Sequence, residues 1–282
     1  MIGKIGTLYL VATPIGNLED ITYRAVRVLS EVDLIACEDT RHSIKLLNHL
    51  GIKKPLISFH EHSRAQRAEE LLEKLRAGQS IALVSDAGMP VISDPGEDLV
   101  SLCIKAEVPV TVIPGCTASL TGLILSGLPA RRFAFEGFLP QQQGERRKAL
   151  EALKNEDRTM IFYEGPHRIK KMLGDALAIL GDRPCSLARE LTKLHEEVLR
   201  GTISELLRHF ESNEPKGEFV VVMGGNPMAL QNERKDYEGL SIPDHVQSYM
   251  DEGLDRMEAM KRAAKDRGLS KREIYQALNS HK

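Results

Sequence analysis

Hydrophobic positions along the chain follow two alternating spacings. Short apolar runs rich in β-branched residues predict strands at Thr7–Ala12, Asp33–Cys37, Leu56–Phe59, Ile81–Ser85, Val110–Ile113, Phe133–Phe138, Thr159–Tyr163, Cys185–Ala188 and Phe219–Met223. Between them, stretches such as 63–77 repeat apolar residues three and four positions apart, which predicts helices. Asp94 and Pro95 predict a helix start, with the acid as N-cap and the proline in the first turn. This alternation predicts mostly parallel sheets covered by helices on both faces.

The strand–helix pattern restarts near Pro114–Gly115, where we place a domain boundary. Strand signals cease in the polar stretch 226–239, and the chain beyond it predicts helices over 243–252, 255–267 and 270–278. Ser270 and Glu273 have the spacing of a capping box. We therefore expect two α/β domains, residues 1–114 and 115–225, followed by a helix-turn-helix-like tail at 240–282.

The composition is that of a globular protein. A chain of 282 residues with 42% hydrophobic and 28% charged residues has room for two α/β domains with a buried core. No apolar run approaches the ~20 residues that span a bilayer, and no signal segment opens the chain, so we expect a cytoplasmic protein without a membrane partner. The cysteines form no C-x-x-C pair, which favours small buried thiols over zinc or disulfides.

Charge is distributed unevenly around a net value of −2. Residues 256–282 carry eight Lys or Arg against three acids, and smaller basic groups occur at 131–132, 146–148 and 168–171. Such patches suit contact with a phosphate backbone, but solvated helix faces produce the same pattern. Charge alone leaves both interpretations open.

Three loops after predicted strands concentrate glycine, proline and small residues. The densest, 85–96, lies between a buried strand and a helix, where ligands bind in open α/β sheets. Gly88 would let backbone approach a ligand and Pro90 would hold the loop in one shape, although a merely structural turn remains the alternative. The loop at 12–20 lacks G-x-G-x-x-G, and no Walker A sequence is present. The loop at 114–119 suits close packing against a ligand.

Six motifs occur in order along the chain. They are T-P-I-G-N-L-E-D-I at 13–21, E-D-T-R at 38–41, S-D-A-G-M-P-V-I-S-D-P-G at 85–96, P-G-C-T-A at 114–118, Y-E-G-P-H-R at 163–168 and A-R-E-L-T-K at 188–193. Together they resemble the ribosomal RNA branch of the tetrapyrrole methylases over about residues 7–224, and the tail resembles that branch's helical extension. The resemblance implies two α/β domains with S-adenosylmethionine in the cleft between them. It further implies 2′-O-methylation of a cytidine in 16S ribosomal RNA, the RNA or the 30S subunit as partner, and a homodimer.

By motif position, the resemblance also implies cofactor contacts. The residues concerned are Pro14, Gly88, Met89, Pro90, Ile92, Thr117, Ala118, Tyr163, Leu191 and Gly217. The 88–92 group would line the methionine and ribose, Thr117 and Ala118 the carboxylate or sulfonium end, and the last three residues the adenine. Relatives that act on tetrapyrroles usually have an acid where this chain has Met89. A cofactor contact at Met89 would therefore use its backbone. The absence of the acid narrows the resemblance to the RNA branch.

Methyl transfer from a sulfonium depends on alignment, and a ribose hydroxyl benefits from a base or a nearby cation. The candidates are Glu38, Asp39, Glu164 and Lys193, each in a matching motif near a strand end. Glu38 and Asp39 could equally cap a helix that starts at Thr40. Glu164 could be a turn acceptor and Lys193 a solvated surface residue. The sequence does not rank these.

Further polar groups leave alternatives open. Arg41, Arg168 and Arg189 suit either phosphate or internal carboxylate pairs. His60-Glu61-His62 lacks a third ligand at a recognisable spacing, so we expect no metal site. Sparse aromatics without tryptophan give little support for an RNA stacking platform. Two other functions remain: a methylase of a tetrapyrrole precursor, and a cofactor-binding module without catalysis.

Overall fold

A computed structural model describes residues 5–59, 64–94, 96–226, 239–251 and 253–279. Its strands are β1 Leu8–Val11, β2 Leu34–Cys37, β3 Leu56–Ser58, β4 Ile81–Val84, β5 Val110–Ile113, β6 Phe133–Phe138, β7 Thr159–Glu164, β8 Pro184–Arg189, β9 Glu197–Thr202 and β10 Phe219–Met223. Its helices are α1 Tyr23–Glu31, α2 Thr40–His49, α3 Arg64–Arg76, α4 Glu97–Lys105, α5 Ala118–Ser126, α6 Gln143–Ala152, α7 Ile169–Leu180, α8 Ile203–Ser212, α9 Ile242–Asp251, α10 Arg256–Arg267 and α11 Lys271–Asn279. The predicted α/β class, with helices at the C-terminal end, is confirmed.

The first sheet has the order β3-β2-β4-β1-β5, and all its strand pairs are parallel. Leu8 and Ile81 pack in one core with the apolar face of α3, whereas Val11 and Val84 pack in a second core with α1. Both faces of the central strands β1, β2 and β4 are therefore buried, which is why these strands are nearly continuous apolar runs, whereas the edge strand β5 has exposed residues.

The second sheet has the order β6-β7-β10-β8-β9, and only β6 and β7 pair in parallel. The prediction of mostly parallel strands is wrong for this sheet. The connection between β8 and β9 is too short for the crossover that parallel neighbours need. The sequence also missed β9, an edge strand whose residues are half-buried or exposed and which therefore lacks an apolar run.

The start of α4 differs from the prediction. Its N-cap is Gly96, without a side-chain hydrogen bond, rather than Asp94. The Asp94 carboxylate instead accepts the backbone N–H of Gly96 at 3.0 Å and of Val91 at 3.4 Å. The acid holds the preceding loop in shape, because that loop turns back on itself before the helix begins.

By their contacts the residues form two compact units, one comprising 1–151 with 159–224 and the other 152–158 with 225–282. In the second unit, three helices enclose a small core of Val246, Ala259, Ala263, Ala264 and Ile274. Met257 is 69% exposed and stays outside this core, whereas Ala259 on the same helix is fully buried in it. The capping box is confirmed, since Ser270 Oγ accepts the Glu273 amide and Glu273 Oε2 accepts the Ser270 amide.

Among the described residues, no helix is both long and apolar enough to cross a membrane. The four cysteines are free thiols, three of them buried. The motif His60-Glu61-His62 lies outside the described residues.

Candidate functional site

A cavity of about 390 Å³ opens in the first unit at the ends of strands from both sheets. This volume is in the usual range for sites that hold small molecules. The loops after β1, β2, β4 and β5 contribute Ile15, Glu38, Ser85, Asp86, Ala87, Gly88, Met89, Ile92, Ser93, Asp94, Thr117 and Ala118. The second sheet and its loops contribute Phe138, Tyr163, Glu164, Ala188, Glu190, Leu191, Lys193, Glu218, Phe219 and Val220.

Backbone hydrogen bonds join two walls of the cavity. Thr13 and Gly88 exchange both N–H···O bonds, at 2.9 and 3.0 Å. The Thr13 hydroxyl donates to the Ser85 carbonyl at 3.1 Å, and the Ser85 hydroxyl donates to the Gly88 carbonyl at 3.1 Å. Gly88 has φ +81°, and a Cβ there would stand 3.3 Å from the Ile15 side chain and 3.4 Å from the Cys116 carbonyl. Glycine is required here because the backbone is left-handed and closely surrounded.

Loops from the two sheets approach each other closely at two glycines. A Cβ on Gly16 would lie 2.7 Å from the Leu191 carbonyl oxygen and 2.9 Å from Thr192 Oγ1. On the other side, Ser93 Oγ lies 3.0 Å from where a Cβ of Gly137 would stand. These close approaches fix the width of the cavity.

Backbone strain is concentrated in these loops. Of the five described non-glycine residues with positive φ, four lie here: Val91 at +78°, Ser93 at +57°, Glu190 at +50° and Thr192 at +65°. A β-branched residue in this region is disfavoured, and such strain typically persists at ligand sites. The outliers therefore mark both walls as candidate binding surfaces.

Glu164 is the most buried acid of the cavity, with 1% exposure. Its Oε1 accepts the Gly165 amide at 2.9 Å and lies 3.3 Å from Arg168 Nε, whereas Oε2 has no hydrogen-bond partner in the described part of the chain. Burial raises the pKa of this carboxyl, against the lowering effects of the Gly165 amide and Arg168. The turn-acceptor interpretation therefore accounts for only one of the two oxygens.

The remaining catalytic candidates differ in their surroundings. Lys193 and Glu190 both line the cavity and pair at 3.2 Å. Glu38 lines it as an exposed residue. Asp39 does not line it and is the N-cap of α2, since its carboxylate accepts the Arg41 amide at 2.8 Å and the Arg41 guanidinium at 2.6 Å. These bonds hold the pKa of Asp39 well below its usual range, which suits the capping interpretation.

Most of the residues proposed from the sequence converge on this cavity. Those that line it are Glu38, Gly88, Met89, Ile92, Thr117, Ala118, Tyr163, Glu164, Leu191 and Lys193. Pro14 and Pro90 are buried next to lining residues in the chain, and Gly217 shapes the wall indirectly. A Cβ on Gly217, at φ +75°, would stand 2.5 Å from Glu190 Oε1.

Sequence reasoning did not single out Ser85, Asp86, Phe138 or Glu190 as site residues. Ser85 and Asp86 belong to the loop already identified, and Glu190 to the A-R-E-L-T-K motif, so loop position was the available signal. Phe138 resembled an ordinary strand residue. Its place at the strand end, after an irregularity in the β6–β7 pairing, brings it to the cavity.

The three arginines near the candidate acids all make internal bonds. Arg41 pairs with Asp39, Arg189 Nε with Glu197 Oε2 at 2.6 Å, and Arg168 Nη2 donates to the carbonyls of Leu139 at 2.6 Å and Pro140 at 3.2 Å. The intramolecular interpretation fits each of them.

The basic group at 146–148 is partly structural. Arg146 is 4% exposed and donates to Asp175 Oδ2 from Nε at 2.9 Å and from Nη2 at 2.7 Å. Arg147 contacts the other oxygen of Asp175 at 3.2 Å. Two of these three cations are therefore engaged by one buried carboxylate.

Comparison with known proteins identifies relatives over nearly the whole chain. The family model described as Tetrapyrrole (Corrin/Porphyrin) Methylases matches residues 7–207. A protein of Halalkalibacterium halodurans named Ribosomal RNA small subunit methyltransferase I is 52% identical over 270 residues, 96% of this chain and 93% of its own. A Thermotoga maritima protein of the same name is 50% identical over 221 residues, 78% of this chain and 99% of its own.

The fold also resembles solved structures. Uroporphyrin-III C-methyl transferase from Thermus thermophilus, complexed with S-adenyl homocysteine, superposes with a TM-score of 0.56 at 21% identity. The match covers 78% of this chain and 97% of that structure. At this identity the likeness concerns the fold.

Proposed function

Since this chain belongs to the tetrapyrrole methylase family, we propose that it transfers the methyl group of S-adenosylmethionine to the ribose 2′-hydroxyl of a cytidine in small-subunit ribosomal RNA. The observation that carries the proposal is identity of about half over 270 residues with a protein named for methylation of that RNA. The identity extends well beyond the 7–207 region that the whole family shares. Methyl transfer to small-subunit RNA follows from the relatives, and the cytidine 2′-oxygen follows from the motif resemblance.

The cavity fits S-adenosylmethionine. Gly88 and its neighbours present backbone that a Cβ would obstruct, and Ala118, Leu191 and Val220 supply an apolar lining. The α5 helix begins there, and its N-cap Thr117 makes no side-chain cap bond, so the positive end of the helix suits the amino-acid carboxylate. The unpartnered Glu164 oxygen and the exposed Glu38 suit positively charged or hydroxyl groups. We assign Pro14, Pro90 and Gly217 to support of these walls.

When bound, the cofactor supplies an electrophilic methyl group on a sulfonium. The chain's own residues must align the ribose hydroxyl and remove its proton. We assign proton acceptance to Glu164, because it lines the cavity, burial raises its basicity and one of its oxygens has no hydrogen-bond partner among the described residues. Lys193, held 3.2 Å from Glu190, would stabilise negative charge that develops on the oxygen. Asp39 positions α2 rather than the hydroxyl.

The helical tail would contribute RNA contacts. Lys265, Lys271 and Arg272 are exposed, and the described structure gives them no ion pair. Lys261, in contrast, pairs with Glu258 at 2.9 Å, and Arg267 donates to His245 Nδ1 at 3.0 Å. Cations without an intramolecular partner are the ones best suited to phosphate.

The test is transfer of a tritiated methyl group to unmethylated 30S subunits, naked ribosomal RNA and tetrapyrrole precursors in parallel. We expect the label in an RNA nucleotide whose 3′ phosphodiester bond resists alkaline hydrolysis. A 2′-O-methyl ribose has no free 2′-hydroxyl and therefore cannot form the cyclic phosphate intermediate of that hydrolysis. Label on a base would refute the ribose assignment. Label only in the tetrapyrrole would refute the RNA substrate.

A further inference from the structure

The ring of Phe138 stands exposed at the cavity. It is 58% exposed and lines the cavity, whereas Phe162 on the neighbouring strand is fully buried. A single exposed apolar residue is ordinary on a protein surface and proves nothing by itself. The backbone that carries this one gives the second observation.

A β-bulge sets the direction of the Phe138 side chain. The β6–β7 register shifts between Phe135 and Gly137, and Gly137 has φ +63°. A bulge inserts one residue into a strand and re-aims the side chain that follows, and bulges are enriched next to active sites. After this shift Phe138 pairs with Tyr163, the residue that precedes Glu164. The irregularity therefore brings an aromatic ring to the edge of the site.

The ring packs against Tyr163, and the backbone that follows it is anchored by Arg168. Its centroid lies 5.4 Å from that of Tyr163 at an interplanar angle of 57°, and the Tyr163 hydroxyl accepts the Ser119 amide at 3.1 Å. The next two carbonyls, of Leu139 and Pro140, accept from Arg168. A ring mounted in this way is preorganised, so a partner that stacks on it would lose little entropy in ordering it.

The position of the ring relative to Glu164 indicates what would stack on it. Phe138 and Glu164 lie on adjacent strands, which run about 4.8 Å apart. A nucleotide whose 2′-hydroxyl reaches Glu164 would carry its base to the neighbouring strand end. Leu191, which the resemblance assigns to adenine, is 6% exposed, whereas the Phe138 ring is 58% exposed and is therefore accessible to a macromolecule.

We propose that Phe138 stacks on the base of the nucleotide whose ribose is methylated. This inference rests on the proposed function and adds a residue that positions the substrate. Stacking on an aromatic ring tolerates any base, so Phe138 would hold the nucleotide in place, and its identity would be read elsewhere. The uncharged ring also suits binding of a base close to the acids that line the cavity, because those acids would repel a phosphate.

The test compares Phe138→Leu with Phe138→Tyr, which keeps the ring, and with Phe133→Leu. Phe133 is a matched control because it lies at the other end of β6, is 37% exposed and does not line the cavity. RNA affinity is measured by filter binding without a methyl donor, and cofactor affinity by calorimetry. Phe138→Leu should weaken RNA binding about 5- to 150-fold, the range that corresponds to loss of one base–aromatic stack, with cofactor affinity unchanged. Phe138→Tyr and Phe133→Leu should bind like the wild type.

An RNA with an abasic ribose at the methylated position provides the decisive comparison. Wild type and Phe138→Leu should bind this RNA equally, because the stacking partner is missing. A weaker cofactor affinity in Phe138→Leu with unchanged RNA affinity would assign the ring to adenine and overturn the proposal, as would no change in either. Failure of the proposed function is distinguishable, because the wild type would then place no methyl group in RNA at all.

Discussion

The tail cations offer a prediction whose size can be worked out in advance. The variant Lys265→Gln/Lys271→Gln/Arg272→Gln removes three charges that have no ion pair within the described structure. Glutamine is a good helix former, and the buried residues Ala263, Ala264 and Ile274 are untouched. We therefore expect the tail to stay folded, with a change in unfolding free energy within about 0.5 kcal/mol.

The expected change in RNA binding follows from counterion release. Each phosphate contact contributes about 0.7–0.9 to the slope of log affinity against log salt, so three contacts contribute about 2–3. Raising salt fourfold, from about 50 to about 200 mM, should therefore weaken the wild type about 20- to 40-fold more than the variant. Affinity for small-subunit RNA across this range, by filter binding, measures the difference.

The control is Lys45→Gln/Lys53→Gln/Lys105→Gln, which removes the same charge from exposed positions in the first unit. We expect this variant to keep nearly the wild-type slope. If the tail variant keeps it as well, the tail makes no phosphate contacts and its positive charge is solvated surface. Equal reductions in both variants would show a general charge effect, which would also refute the reasoning.

Three further outcomes follow from the site and the core. Glu164→Gln should lower methyl transfer by ~10²-fold or more. Burial raises the pKa of Glu164, so ionisation of this carboxyl costs the folded wild type stability as pH rises from about 4. Glu164→Gln should therefore have a higher unfolding free energy than the wild type toward neutral pH. No gain by urea titration would contradict this. Gly88→Val should abolish cofactor binding in calorimetry, because its φ is +81° and a Cβ there is crowded, and unchanged affinity would place the cofactor elsewhere. Asp175→Ala should cost about 3–5 kcal/mol, because it strands the buried Arg146 guanidinium; a loss below about 1 kcal/mol would mean that water reaches that charge.

Much of the fold is determined locally and can be predicted from the sequence. The central strands of the first sheet are buried on both faces, so they are apolar runs that end within one residue or two of the predicted bounds. Glycine and proline mark the loops, and the Ser270–Glu273 capping box forms from residues three apart. Such signals depend on neighbours in the chain. For that reason the candidate cofactor loops can be proposed from the amino-acid sequence by itself.

Other features depend on residues that are distant in sequence. The edge strand β9 is recognised only by its pairing with β8. Asp94 accepts hydrogen bonds within its own loop rather than capping α4. The acids Asp39 and Glu164 are equivalent candidates in the sequence, and packing separates them. Asp39 is engaged by Arg41, whereas Glu164 is buried with one oxygen left over. Pairing and desolvation set the basicity of a carboxylate, and both are properties of the assembled fold, as is the bulge that turns Phe138 toward the cavity.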